Sequence, residues 1–300
     1  LTETNTIHAQ LLRNATRASV AVAGTLIVFK IIAYVMTGSV ALLSSLIDSV
    51  LDAFASTINL IAVRHALSPA DAEHRFGHGK AEPLAGLGQA AFIIVSSIFL
   101  IFEALNHLIN PRQIDNGLTG IIVIVVSLLL TIALVRYQKY VVQRTNSLAV
   151  AADSIHYVSD VVMNLSVIAA LVCSAWLDWP AADPLFALAI AAYIIYSAWT
   201  IVTNAFNQLM DRELPDSDRE RIAAIARRHA EVRNLHELRT RASGKDIFIQ
   251  LHLEMNGEIS LNTAHRIADE VEREIKDAFP GADVLIHQDP YDDESNKREA

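Results

Sequence analysis

Cysteine is almost missing from this chain: one residue, Cys173, in 300. A single thiol excludes a disulfide scaffold and a Cys-rich zinc finger, and it argues against a soft Cu(I) thiolate site. Charge is sparse as well. Only 19% of residues are Asp, Glu, Lys or Arg, against about 25% in soluble domains. Basic residues are the scarcer sign, 24 Lys and Arg against 33 Asp and Glu. The net charge of −9 repels phosphate backbones, so nucleic acid is not an expected partner. A basic leader is lacking too. Residues 1–12 are polar, with no basic region, short apolar core or small-residue cleavage site, so no secretory signal peptide is expected.

Apolar residues fill the gap. They make up 52% of the chain, and the mean hydropathy is +0.33, which excludes a disordered chain and a collagen. The charge is unevenly spread. Residues 1–207 hold 12 acids and 10 bases, whereas residues 208–300 hold 21 acids and 14 bases. This division predicts an all-α membrane domain over 1–208, a soluble domain over 209–291 and a disordered polar tail over 292–300.

A helix needs roughly 20 mostly apolar residues to cross the hydrocarbon core. Six stretches qualify, at about 15–36, 40–65, 84–109, 118–142, 147–177 and 183–207. The second and fifth are less apolar because they carry acids. Arg13, Arg17, Arg64, Arg75, Lys80, Arg136, Lys139 and Arg144 fall on one side of these spans, and only Arg112 falls on the other. That bias predicts a multi-pass protein of the cell membrane with both termini in the cytoplasm.

The acids within the spans carry the chemistry. Asp48 and Asp52 lie mid-span in the second stretch, and Asp153, His156 and Asp160 lie in the fifth. An Asp at a helix centre costs roughly 2.5–3.5 kcal/mol on insertion scales, so Asp48, Asp52 and Asp160 together cost on the order of 8–10 kcal/mol. Ordinary packing does not offset that, whereas a shared cation does. Asp48 and Asp52 are spaced i,i+4, as are His156 and Asp160, so each pair lies on one helix face. Two facing helices then offer four N and O ligands, a set that suits tetrahedral Zn²⁺ and also tolerates Fe²⁺, Mn²⁺ or Cd²⁺. The bland alternative is an Asp paired with Lys30 and a satisfied core His. Lys30 and Glu103 are read as snorkelling or bonding a neighbouring helix. Asp153 is expected at the mouth of the site rather than among its ligands.

These residues resemble the cation diffusion facilitators. The likeness rests on SLIDSVLD with ADSIHYVSD, the loop PADAEHRFGHGKAEPLAGLGQ and the tail VLIHQDP. It runs over about residues 10–290 and is nearest to the bacterial ferrous-iron/zinc efflux branch. The resemblance implies a homodimeric metal/H⁺ antiporter, not an enzyme, with zinc as substrate and as a structural or regulatory ion and with no organic cofactor. It places a transport site on Asp48, Asp52, His156 and Asp160. Many zinc-restricted relatives have His where Asp48 stands, which implies a less strict site that accepts Cd²⁺ as well.

The resemblance further implies a second zinc site on Asp71, His74 and His78. These residues alone read equally as solvated loop side chains, and Gly77 and Gly79 argue against a regular helix there. Arg75, Lys80 and Glu82 are read as charge partners, and by resemblance Lys80 pairs with Asp211 at a dimer interface. In the last third, helices are predicted over 216–230 and 260–279, and strands over 232–241, 246–255 and 282–289. Ser243, Gly244 and Lys245 form the first turn. This α-β-β-α-β order gives an α+β domain with helices on one face of the sheet, and the resemblance identifies it as metallochaperone-like. His236, His252, His265, His287 and Asp289 read as surface residues by spacing. The family implies that they form a binuclear cluster bridging two protomers. His8, His65, His107 and His229 match no motif and are read as surface or interface residues.

Three rivals use the same residues. An intramembrane protease would pair Asp48 or Asp52 with Asp160, but no Gly-rich motif flanks them and HExxH is absent. A passive divalent cation channel would hold its ion too tightly for fast flow with four ligands. A non-transporting membrane metal sensor would depend on the last third alone.

Overall fold

In the computed structural model, residues 3–38, 40–109, 118–177, 182–244 and 246–291 are described. The loop holding Arg112 and the tail at 292–300 lie outside them. The chain divides into two compact units, one of Ile7–Phe206 and one carried by residues from Asn207 onward.

The first unit is helical throughout. Its elements are α1 (Glu3–Thr37), α2 (Val40–Ala66), α3 (Ala81–Ile109), α4 (Leu118–Thr145), α5 (Leu148–Leu177) and α6 (Ala182–Leu209). Among the described residues five helices are long and apolar enough to cross a membrane: α1, α2, α3, α4 and α6. The acid-bearing α2 is one of them. Its acid-bearing counterpart α5 has 30 residues, about 45 Å at 1.5 Å per residue, which is length enough for a sixth span.

The polarity of this unit is inverted. Val35, Met36, Phe99 and Ile109 are each more than 70% exposed, whereas Ser19, Ser56, Asn59, Gln138, Asp153 and His156 are buried. A water-soluble protein hides the first group and shows the second. In hydrocarbon the preference reverses, because polar groups find partners only inside the bundle. This is a multi-pass membrane protein.

The second unit contains α7 (Asp216–Ala226), β1 (Val232–Ser243), β2 (Asp246–Asn256), α8 (Leu261–Ala278) and β3 (Asp283–Tyr291). The sheet order is β1-β2-β3, with β1 antiparallel and β3 parallel to the central β2. Alternation along β2 decides the layering. Ile249, Leu251, Leu253 and Met255 pack against Ile222 and Ile225 of α7 and Ile267, Val271 and Ile275 of α8. Both helices therefore cover one face, and His252 and Glu254 point to the other. Phe248 shares that other face but is buried, with the Arg241 guanidinium 4.4 Å above its ring.

The end of α7 differs from the sequence expectation. α7 stops at Ala226 rather than at residue 230, because its buried stripe of Ile222, Ile225 and Ala226 ends there. The next residues tighten into i→i−3 turns, with Arg228 N–H donating to Ile225 and His229 N–H to Ala226. The turn from β1 to β2 has Gly244 at φ +60°, where a side chain is disfavoured; Lys245 lies outside the described residues. At the start of α8, Ser260 Oγ accepts from Thr263 N–H at 3.3 Å. Ser260→Ala is expected to cost roughly 1 kcal/mol, read as faster amide exchange in the first turn of α8 in the full chain.

Candidate metal centres

Three clusters of His and carboxylate side chains, each with its ligand atoms within 4.8 Å of one another, occur among the described residues. The first joins α2 and α5. Asp52 of α2 meets His156 and Asp160 of α5, and His156 Nε2 lies 2.9 Å from Asp52 Oδ1. His156 and Asp160 share a face of α5 because they are one turn apart. The ring of His156 stands edge-on to Phe92 of α3 at 6.1 Å. Asp48 is exposed and does not belong to this group of three. Lys30 of α1 donates from Nζ to the Ser45 carbonyl at 3.0 Å and to Ser49 Oγ at 2.7 Å, which ties α1 to α2 beside the cluster.

Asp153 departs from its expected place at the mouth of the site. It is 1% exposed and is the hub of four helices. Ser19 of α1 donates to it at 2.6 Å, Gln138 of α4 at 2.7 Å and Ser56 of α2 at 3.4 Å. Ser56 also bonds the Tyr157 hydroxyl at 3.0 Å. A carboxyl group with three donors is satisfied without a metal.

The second cluster is the α2–α3 loop. Asp71 Oδ1 accepts from the backbone N–H groups of His74 at 2.6 Å and Glu73 at 2.9 Å. These bonds, with that from His74 the stronger, hold the Asp71 carboxyl below the usual carboxylate range. A depressed value means that the order it confers is complete above the ordinary Asp value of about 3.9 and is lost only as pH falls below that. His74 Nδ1 and His78 Nε2 each lie 3.3 Å from Asp71. The loop is folded by turns rather than helix, with Gly77 at φ +81°.

The third cluster, on the second unit, is a row across the sheet. His236 of β1 is in register with His252 of β2, which is in register with His287 of β3. The rings of His236 and His252 are 5.0 Å apart, and those of His252 and His287 are 4.6 Å apart. Asp289 lies 2.9 Å from His252, 3.4 Å from His236 and 3.1 Å from His287. A bulge between His236 and Arg239 puts Glu237 at φ +46° and re-aims the strand beside the row. His265 does not join within one chain. It sits on α8 with Asp269 at 3.6 Å, and the sheet separates α8 from the histidine face.

Residues 16–210 match the family described as the cation efflux transmembrane domain, and residues 214–291 match the cation efflux protein cytoplasmic domain. The chain belongs to the cation diffusion facilitator family. A cation-efflux pump FieF of Shewanella oneidensis is 49% identical over 276 residues, 92% of this chain and 93% of that one. The pump of that name from Klebsiella pneumoniae subsp. pneumoniae is 47% identical over 286 residues, 95% of each chain. The metal-bound C-terminal domain of the CzcD transporter from Thermotoga maritima is 29% identical over 25% of this chain and 87% of its own, with a TM-score of 0.24. As a cation diffusion facilitator the chain is a transporter of divalent metal cations, not an enzyme.

Two carboxylates of this facilitator escape sequence reasoning. Glu82, read as a charge partner, is 7% exposed and lies beside Ser147, Leu148 and Ala149 at the start of the helix that bears His156 and Asp160. Glu254 lies 3.3 Å from His236 and has a second oxygen that is buried without a hydrogen-bond partner. Glu254 is two residues after His252 on the same strand face, and that spacing was the only available signal.

Proposed function

We propose that this facilitator exports Zn²⁺ from the cytoplasm in exchange for protons by alternating access, and that the same site accepts Fe²⁺ and Cd²⁺. The observation that carries the reading is the convergence of Asp52, His156 and Asp160 from two membrane helices. The donors are one imidazole and two carboxylates with no thiolate, a set that fits a borderline cation. Asp48, one turn from Asp52, supplies the fourth ligand when the ion draws it in. The His156–Asp52 hydrogen bond supports proton exchange. One hydrogen occupies the two lone pairs that a metal needs, so ion and proton compete for the same atoms. Each coupled proton contributes about 1.36 kcal/mol per pH unit of gradient, a tenfold concentration ratio.

The excess of Lys and Arg on one side supports cytoplasmic termini in the cell membrane. The protein works as a homodimer, with Lys80 and Asp211 at its interface. Asp71, His74 and His78 hold a second zinc, and His236, His252, His287 and Asp289 hold the cytoplasmic ions, with His265 contributing across the dimer. There zinc stabilises the pair and biases the membrane domain toward one state. A His252→Ala/His287→Ala double variant is expected to lose bound zinc and to dissociate at higher protein concentration than wild type. Unchanged dimer stability and unchanged zinc dependence of rate would remove the regulatory role.

Radiolabelled zinc flux in proteoliposomes with an imposed pH gradient tests the whole. The expected result is flux that follows the gradient and reverses with it. Flux indifferent to the gradient fits a channel instead, and no flux with retained cytoplasmic zinc binding fits a sensor.

A further inference from the structure

The α2–α3 loop has a fourth candidate ligand that neither motif nor spacing reveals. His65 stands in the last turn of α2, and its ring lies edge-on to that of His78 with centroids 4.5 Å apart. His74 packs on the same His78 ring at 4.6 Å. The His65 ring therefore stands beside the group of Asp71, His74 and His78, though outside the set whose ligand atoms lie within 4.8 Å of one another.

The His78 side chain is only 7% exposed, yet its Nδ1 is buried without a hydrogen-bond partner. Nε2 of that ring faces Asp71 at 3.3 Å, so Asp71 does not serve Nδ1. A buried ring nitrogen without a partner is a polar group that a bound ion or water satisfies. The exposed ring of His65 can change rotamer without disturbing packing. The C-terminal end of α2 adds the partial negative charge of its last carbonyls, which favours a cation there.

We propose that His65 is the fourth ligand of the loop site, closing Asp71, His74 and His78 into a tetrahedral, water-free cation site. This rests on the reading above that the loop holds a metal. Three protein ligands leave a position open to water and to exchange, whereas four close the shell and hold the ion in residence. The resident ion pins the loop to the end of α2. His65 is 13 residues from Asp52 on that helix, about 20 Å along the axis. The loop ion is therefore a fastening for the helix that carries the transport site rather than a stop on the transport route.

The test is a chelator chase on the full-length protein loaded with ⁶⁵Zn²⁺, comparing wild type with His65→Gln, His65→Tyr and Asp71→Ala. Asp71→Ala identifies the loop ion as the release phase it abolishes. In His65→Gln and His65→Tyr that phase is expected to accelerate by at least about tenfold, the lower end of the loss seen when even a supporting residue of a metal site is removed. X-ray absorption on the loop ion should lose one imidazole in both variants. If both variants release zinc as wild type does while Asp71→Ala still abolishes the phase, His65 is not a ligand. If Tyr alone preserves the slow phase, ring packing rather than coordination accounts for it, and the proposal fails. If Asp71→Ala abolishes no phase, the loop holds no ion, and the parent reading falls separately.

Discussion

Asp52→Ala is expected to bring gradient-driven zinc flux down to that of protein-free liposomes, a loss of at least 100-fold, and His156→Ala should do the same. Removing a residue that merely supports a metal ligand already costs 10–100-fold in affinity or activity, and these two are proposed as ligands themselves. The geometry makes their loss uneven. His156 and Asp52 touch at 2.9 Å, so deleting either leaves the other within the bundle without its partner. Asp48 stands outside the group of three, and Asp48→Ala should weaken zinc affinity while leaving measurable flux. Flux assays and zinc titrations on the three variants check this. Wild-type flux in Asp52→Ala would overturn the transport site.

Asp153→Ala is expected to be the most damaging change to the fold of the membrane unit. It removes the acceptor shared by the Ser19 hydroxyl and the Gln138 amide, 2.6 and 2.7 Å from the carboxyl, and leaves Ser19 with the Ala15 carbonyl and Gln138 with Ser19 Oγ as remaining acceptors. A hydrogen bond to a charged group contributes about 1.5–3 kcal/mol, so loss of the hub costs on the order of 3 kcal/mol. Asp153→Asn keeps the shape and one acceptor and should lose much less. Thermal unfolding of the detergent-solubilised protein, followed by loss of the monodisperse peak, separates the two. A midpoint for Asp153→Ala equal to wild type would refute the hub assignment.

The contrast between Asp52 and Asp153 shows what was legible in the sequence. Both are acids in apolar runs, but the insertion cost is counted for Asp52 and not for Asp153, which is read as lining the mouth of the site. The i,i+4 spacing puts His156 and Asp160 on one helix face because helix periodicity is local, and the structure brings them to Asp52 but leaves Asp48 outside the group. What separates Asp153 from them is not local. Its donors Ser19 and Gln138 lie 134 and 15 residues away in the chain, and a carboxyl group satisfied by hydroxyls and an amide has the same sequence neighbourhood as one that awaits a cation. Glu82 hid for a similar reason. Its surroundings are the backbone at the start of α5, which leaves no residue-type signature. The strands of the last third were readable from their alternation, including the inward set on β2. The row His236–His252–His287 was not, because it depends on register.

That register has a consequence of its own. Side chains along a strand alternate faces, so sliding β3 by one position against β2 would turn Val284 outward and carry His287 under the helices. The oily layer and the histidine row are thus read from the same alignment, on opposite sides. A slipped sheet would lose its packing and the proposed metal row in a single error. An ion held by that row would therefore favour the correctly threaded sheet over a slipped one, because it binds only the former.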